Sequence, residues 1–320
     1  MKRAVITGIT GQDGAYLSRL LLKKNYEIVG VIRNKSSIYR LKYLGIDKML
    51  TYENCNLLDN REIVSLLRKY SPDEIYNLAA QSSVAQSFIS PSDTINFNII
   101  SVLNILEAIR TENTEIRYYQ ASSSEMYGSV NLLPITENTA MHPVSPYGIS
   151  KAAAHWITQN YRDNYGIFAC CGILFNHESY LRDNSYFIKK VILEAIKIKN
   201  GQKDRLIVGN IDVKRDFGYS PLYVEAMWKM LQNEKPDDYI ICSGKSYLLR
   251  DLIYHIFNYL DIDKRKLFID SNLFRPKEIL DIYGDNSKAR NELKWNYDCD
   301  FFEIVNIDRK STRLNSSHVS

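Results

Sequence analysis

One glycine-rich turn near the start of the chain constrains its fold more than any other stretch. Ala4 to Thr7 is a short apolar run of strand character that leads directly into Gly8-Ile9-Thr10-Gly11-Gln12-Asp13-Gly14. After it Tyr16, Leu17, Leu20 and Leu21 recur at helical spacing. Glycines also cluster in turns that bind nothing. Between a strand and a helix, however, this spacing lets backbone N–H groups and the helix N-terminus approach a pyrophosphate. The unit predicts a parallel strand-helix-strand fold that holds a dinucleotide.

The rest of the first half keeps that rhythm. Strands are expected at Arg3 to Thr7, Glu27 to Ile32, Met49 to Glu53, Glu74 to Leu78, Ile116 to Ala121 and Ile167 to Leu174. Helices are expected at Asp13 to Lys24, Asp59 to Tyr70, Asp93 to Arg110 and Pro146 to Tyr165. Short apolar runs alternating with helices read as an α/β fold, a doubly wound parallel sheet of Rossmann-like order covered on both faces. After Phe175 the alternation breaks, so residues 1–177 are expected to form the dinucleotide domain and 178–308 mainly a smaller α/β substrate domain. Residues 213–244, including Arg215 to Gly244, are expected to return to the sheet.

Composition excludes several classes. With 41 basic and 37 acidic residues the net charge of +4 is too small to argue for nucleic acid, though it suits an anionic small ligand. Cys55, Cys170, Cys171, Cys242 and Cys299 show no CxxC pair or metal-like grouping, so reduced thiols and no metal are expected. No apolar run approaches a membrane span and the first residues lack a secretory pattern, so the expected location is the cytoplasm, away from membranes.

The second strand ends at Ile32-Arg33, followed by Asn34, Lys35 and Ser36, and no acid occurs from Val29 through Tyr39. An acid there binds the ribose 2′-OH of NAD, whereas a 2′-phosphate calls for a cation. Arg33 at that place favours NADP.

Chemistry is carried by two segments. Tyr147 and Lys151 are four residues apart and share a helix face, with Ser145 placed to cap that helix and Pro146 in its first turn. A nearby cation is expected to lower the phenol pKa from about 10, making it a better base. Ser122-Ser123-Ser124-Glu125 lies at the end of the preceding strand, the edge of such sheets where ligands bind, so Ser123 and Glu125 are placed to meet Tyr147.

With these residues the chain resembles the extended short-chain dehydrogenase/reductases, and within them the GDP-mannose 4,6-dehydratase family. Ser122 to Gly128 looks like the dehydratase element Ser-Thr-x-Glu-x-Tyr-Gly, with Ser124 where the dTDP-glucose enzymes have Asp. Thr7 to Gly14, Gly172 to Ser179, Lys214 to Gly218 and Tyr223 to Trp228 carry the likeness further. The resemblance implies Ser123, Glu125, Tyr147 and Lys151 as catalytic residues acting on a GDP-sugar. Bound NADP+ takes up and returns hydride, and Glu125 removes the C5 proton so that water leaves from C6.

On the cofactor side the expected residues are Gly8, Thr10, Gly11, Gln12, Asp13 and Gly14, then Arg33 and Ser36. Asn56 and Leu57 stand where the class usually has Asp-Leu against adenine. Leu78, Ala79, Ala80, Gln81 and Ser82 match its Asn-x-Ala-Ala segment, and Tyr147, Lys151, His177 and Arg182 complete the set. Ser82, Ser123, Glu125, Asn176, Lys190, Arg215, Arg275 and Glu278 are expected on the substrate side. Two departures stand out: Tyr180-Leu181-Arg182-Asp183 replaces the family's Pro-Arg-Arg-Gly, and Leu280 replaces an Asp. The resemblance also implies a homodimer or homotetramer, with Asn34 to Leu44 reaching a neighbour through Ile38, Tyr39, Leu41, Tyr43 and Leu44. Arg309 to Ser320 lacks any apolar period and is expected to be a disordered, non-native tail.

Overall fold

Ala4 and Ile6 are buried against one layer of helices and Val5 against another, so the first strand is apolar on both faces, as a central parallel strand must be. The computed structural model describes residues 1–33, 38–275 and 277–306; Ser36 and the 309–320 segment lie outside them. The chain opens β1 (Arg3–Thr7), α1 (Gln12–Lys23), β2 (Glu27–Ile32), α2 (Tyr39–Tyr43), β3 (Thr51–Asn54), α3 (Asn60–Tyr70) and β4 (Glu74–Asn77). It continues α4 (Val84–Ile89), α5 (Pro91–Glu112), β5 (Arg117–Ser123), α6 (Pro146–Tyr165), β6 (Ala169–Leu174) and β7 (Asn176–Glu178). The remainder is α7 (Phe187–Lys199), β8 (Leu206–Val208), β9 (Lys214–Tyr219), α8 (Ser220–Gln232), β10 (Asp238–Ile241), β11 (Ser246–Leu248), α9 (Leu249–Leu260), β12 (Leu267–Ile269) and α10 (Ser287–Leu293). A last helix spans 301–306.

The main sheet is parallel throughout in the order β10-β6-β5-β4-β1-β2-β3, the doubly wound order expected. α1 and α8 cover one face, and α3, α5 and α6 the other. The strand order reverses beside β1, which opens a crevice beyond its carboxyl end. α6 runs from Pro146 to Tyr165 as the sequence predicts, because Ser145 Oγ accepts a hydrogen bond from Gly148 N (3.0 Å) and Gly166 ends the helix in the left-handed region (φ +67°).

The expected return of 213–244 to the sheet needs correction at its start. α8 and β10 do pack on and pair with the main sheet, but β9 sits in a separate three-stranded sheet, β11-β9-β7. Phe217 of β9 explains this: it stacks on Phe301 at 4.9 Å inside a second core formed with α7 and α9. Leu41 also departs from its expected role at a neighbour. It is fully buried in its own core, with Ile38 and Leu44 packed against that core, and only Tyr39 and Tyr43 stay exposed.

At the sheet edge Asp238 of β10 fastens α6. Arg162 reaches its carboxylate at 2.9 and 3.1 Å, Gln159 Nε2 at 2.7 Å, and Cys171 N donates to it at 3.1 Å. His155, Cys171 and Asp238 have metal-ligand proximity, but Arg162 already supplies the cation on Asp238. Burial alone would raise the Asp238 carboxyl; Arg162, His155 and Gln159 outweigh it and hold it below the usual range. Because the folded pKa is depressed, the stability it contributes is complete above the unfolded value of about 4 and disappears as pH falls through the folded value. Asp238→Ala leaves Arg162 with only Asp163 (3.5 Å) and the Ala169 carbonyl (3.1 Å), and leaves the Cys171 amide without its acceptor. This costs about 2–4 kcal/mol and lowers the melting temperature by roughly 5–10 °C near neutral pH. The gap should narrow in acid. A melting temperature unchanged at pH 7 would contradict the assignment.

Candidate active site

The turn after β1 is shaped by what its glycines permit. Gly8 has φ +68°, and a Cβ there would lie 2.8 Å from Ala79 N, so the turn presses against the loop after β4. A Cβ on Gly14 would lie 2.5 Å from the Gly8 carbonyl oxygen. Gly11 caps α1 without a side-chain hydrogen bond, so the amides of the first helical turn face the crevice with no side-chain acceptor. An anionic group fits there by shape and by the helix dipole.

Gln12 and Asp13 point elsewhere. Gln12 Nε2 donates to the His177 carbonyl (3.0 Å) and its Oε1 accepts from Ser179 Oγ (2.7 Å). Asp13 accepts from His177 Nε2 (2.8 Å) and from Ser220 Oγ (2.7 Å). Burial would raise its carboxyl, but His177, Ser220 and Arg182 together hold it below the usual range. His177 also bonds the Phe175 carbonyl through Nδ1 (2.7 Å) and lies 4.5 Å from the Tyr223 ring. These three side chains, expected at a cofactor, join α1 to β7 and α8. The Thr10 carbonyl accepts from Arg40, whose Nε also donates to the Leu181 carbonyl (2.6 Å).

The loop after β4 is held on both sides. Thr7 Oγ1 accepts from Leu78 N (3.2 Å) and Ala79 N (3.1 Å), while Asn98 Oδ1 accepts from Gln81 N (2.8 Å). Asn98 Nδ2 donates to the Gln81 carbonyl and to Ser150 Oγ, which ties the Leu78 to Ser82 loop, Ala80 within it, to α6 beside Lys151. Asn56 closes its own turn, Oδ1 accepting from Leu58 N (3.1 Å), and Leu57 is a core residue. Arg33 is exposed at the end of β2 with its guanidinium 5.0 Å from the Phe97 ring centroid.

The catalytic candidates converge. Ser123 ends β5, lies close enough to Tyr147 for its hydroxyl to favour the ionised phenol, and accepts from Glu125 N (3.3 Å). Lys151 Nζ donates to the Ala121 carbonyl (2.8 Å) and lies 5.9 Å from the Tyr147 ring centroid. The expected lowering of the phenol by Lys151 does not hold in the protein itself. Burial dominates and raises Tyr147 well above its ordinary value, with Ser123 and Arg182 opposing, and burial lowers Lys151 to about 8. A polar, charged ligand beside both groups is what would relax this penalty.

Glu125 connects the catalytic residues to the second lobe. Its Oε1 lies 3.7 Å from Arg275 Nη1, and Arg215 pairs with Glu278 at 3.0 Å while donating to the Ile279 carbonyl at 2.6 Å. Val84, Phe88, Val144 and Ile279 line the space in front of Glu125. Arg182 stacks 3.6 Å over Tyr186 and approaches Glu178 at 3.5 Å. Asn176 is half-buried in β7 and Lys190 is exposed on α7. Arg40, Asn98 and Tyr186 organise the site although no sequence pattern singled them out.

A family model described as GDP-mannose 4,6 dehydratase matches residues 5–307. GDP-mannose 4,6 dehydratase 1 of Arabidopsis thaliana is 43% identical over 319 residues, covering 96% of this chain and 88% of the relative. The chain belongs to the GDP-mannose 4,6-dehydratase family. The human GDP-mannose 4,6 dehydratase is 36% identical over 94% of this chain and 89% of its own length. The fold also matches that of DesIV, a dTDP-glucose 4,6-dehydratase from Streptomyces venezuelae with NAD and TYD bound, with TM-score 0.89 at 20% identity over 98% of each chain.

Membership in this family agrees with the open N-terminus of α1 and the cation at the end of β2, which together fit NADP. Arg33→Asp should lower the preference for NADP over NAD by roughly 10- to 100-fold, the range for losing one charge-assisted contact. Fluorescence titration with both reduced cofactors checks this. Equal affinity of the unmodified protein for the two would contradict it.

Proposed function

We propose that this protein is a GDP-mannose 4,6-dehydratase, a hydro-lyase that converts GDP-mannose to GDP-4-keto-6-deoxy-mannose. The observation that carries the reading is Glu125, one short turn beyond Ser123 and facing Arg275, because a reductase or epimerase needs the Ser123, Tyr147 and Lys151 set but no carboxylate base there. Bound NADP supplies a two-electron acceptor and donor that ends the cycle unchanged. Tyr147, oriented by Ser123 with Lys151 alongside, takes the O4 proton. The resulting 4-keto group acidifies C5–H; Glu125 removes that proton and passes it to the C6 oxygen, which departs as water. A solvent-derived proton then reaches C5 as the two electrons taken at C4 return at C6. Arg275 holds the Glu125 carboxylate toward the substrate lobe. Arg215 and Glu278, paired and largely buried, fit the nucleotide end, to which Asn176 and Lys190 are also assigned.

In this reading residues 1–177, with α8 and β10, hold the cofactor, and the lobe built on α7, α9 and β9 holds the sugar nucleotide. The protein acts as a homodimer or homotetramer, which the exposed Tyr39 and Tyr43 of α2 favour. Five free cysteines suit a reducing cytoplasm, and among the described residues no helix is long and apolar enough to cross a membrane.

Glu125→Gln separates the two proton transfers. Dehydration should fall by about 10²–10⁴-fold, the usual contribution of a general base, and solvent deuterium should no longer enter C5. Oxidation at C4 should survive, so that quenching with borodeuteride labels C4 of the bound hexose. Tyr147→Phe should abolish both signals. Turnover of Glu125→Gln at the unmodified rate would reduce Glu125 to a structural acid.

A further inference from the structure

One contact between the loop after β4 and the entry of α7 is a pair of hydroxyls. Tyr186 OH and Ser82 Oγ lie 2.6 Å apart, Ser82 in the loop after β4 and Tyr186 at the entry of α7. Each sits on a fixed frame. Gln81, beside Ser82, is held through both its backbone groups by Asn98. Tyr186 N donates to the Asp183 carbonyl (3.1 Å), Lys190 N donates to the Tyr186 carbonyl (2.8 Å), and Arg182 stacks on the ring at 3.6 Å.

The Tyr186 oxygen has little structural work to do. A phenylalanine would keep the stacking under Arg182, and a hydrogen bond to an exposed serine can be exchanged for one to water at small cost. Meanwhile the reaction consumes most of the hexose. O1 is esterified to phosphate, C4 is oxidised, C5 is deprotonated and C6 loses its oxygen, which leaves the C2 and C3 hydroxyls as the sugar's unreacted hydrogen-bonding groups.

We propose that Tyr186 is a specificity-determining residue whose hydroxyl exchanges Ser82 for the C2 or C3 hydroxyl of the bound hexose. This rests on the sugar-nucleotide reading above, and it assigns the discrimination of the sugar, as opposed to the nucleotide, to a residue of the second lobe. A site built to hydrogen-bond a substrate hydroxyl rejects the analogue that lacks it, because the buried partner is left unpaired.

The test is calorimetric binding of GDP-mannose and of GDP alone to NADP-loaded protein and to Tyr186→Phe. The variant should bind GDP-mannose about 3- to 15-fold more weakly, the effect of one neutral hydrogen bond, and GDP equally well. GDP-2-deoxymannose or GDP-3-deoxymannose, whichever lacks the partner hydroxyl, should bind both proteins alike. Unchanged affinity for GDP-mannose, an equal loss for GDP and GDP-mannose, or an undiminished loss with both deoxy analogues would each overturn the inference. Both proteins carry Tyr147→Phe, so that binding is read without turnover. Failure of the unmodified protein to dehydrate GDP-mannose, with sugar affinity still lost on Tyr186→Phe, would refute the proposed reaction and leave this inference standing.

Discussion

The partly buried carboxylate of Asp13 is the interaction on which the rest of the site depends. It lies in the first turn of α1, where an acid complements the helix dipole, and it accepts from His177 of β7 and Ser220 of α8. Gln12, its neighbour, adds bonds to the His177 carbonyl and to Ser179. Through these contacts the glycine turn, the start of the second lobe and the helix under the sheet share one frame. Leaving any of these polar groups buried and unpaired would cost more than the net worth of the bond that was lost, so the frame is cooperative.

Onto that frame the chain places charges that burial alone would disfavour. Tyr147 is raised and Lys151 lowered by the same cause, removal from water. Neither group is therefore set for proton transfer by its sequence neighbour. Burial sets the direction for the phenol; Ser123 of β5 and Arg182 after β7 oppose it, and Glu125 adds to the rise. A charged ligand entering this space alters that balance directly.

Much of this was legible in the sequence. Glycine spacing after an apolar run located the turn between β1 and α1, and Ser145 and Pro146 marked the start of α6. The alternation of strands and helices gave the sheet order, because right-handed crossovers leave few alternatives. What was not legible depends on tertiary contacts. The bond between Asp13 and His177 could not be read from positions 164 residues apart. Lys189 and Lys190 differ by about 100° around α7, and only the packing decides that Lys189 turns inward. Arg40 stands in a polar stretch yet is buried over Thr10, and Lys214 to Tyr219 reads equally well as a strand of either sheet until Phe217 finds Phe301.

The central claim is that Glu125 makes this site a dehydratase whose cofactor is regenerated within each cycle. Purified protein loaded with NADP and given GDP-mannose in deuterated water, with no added reductant, tests it through NMR and mass analysis of the product. The account predicts conversion well beyond one equivalent of cofactor to a 4-keto sugar nucleotide that has lost one water and carries solvent deuterium at C5. A product that keeps its C6 oxygen, or conversion that stops without stoichiometric reductant, would contradict it.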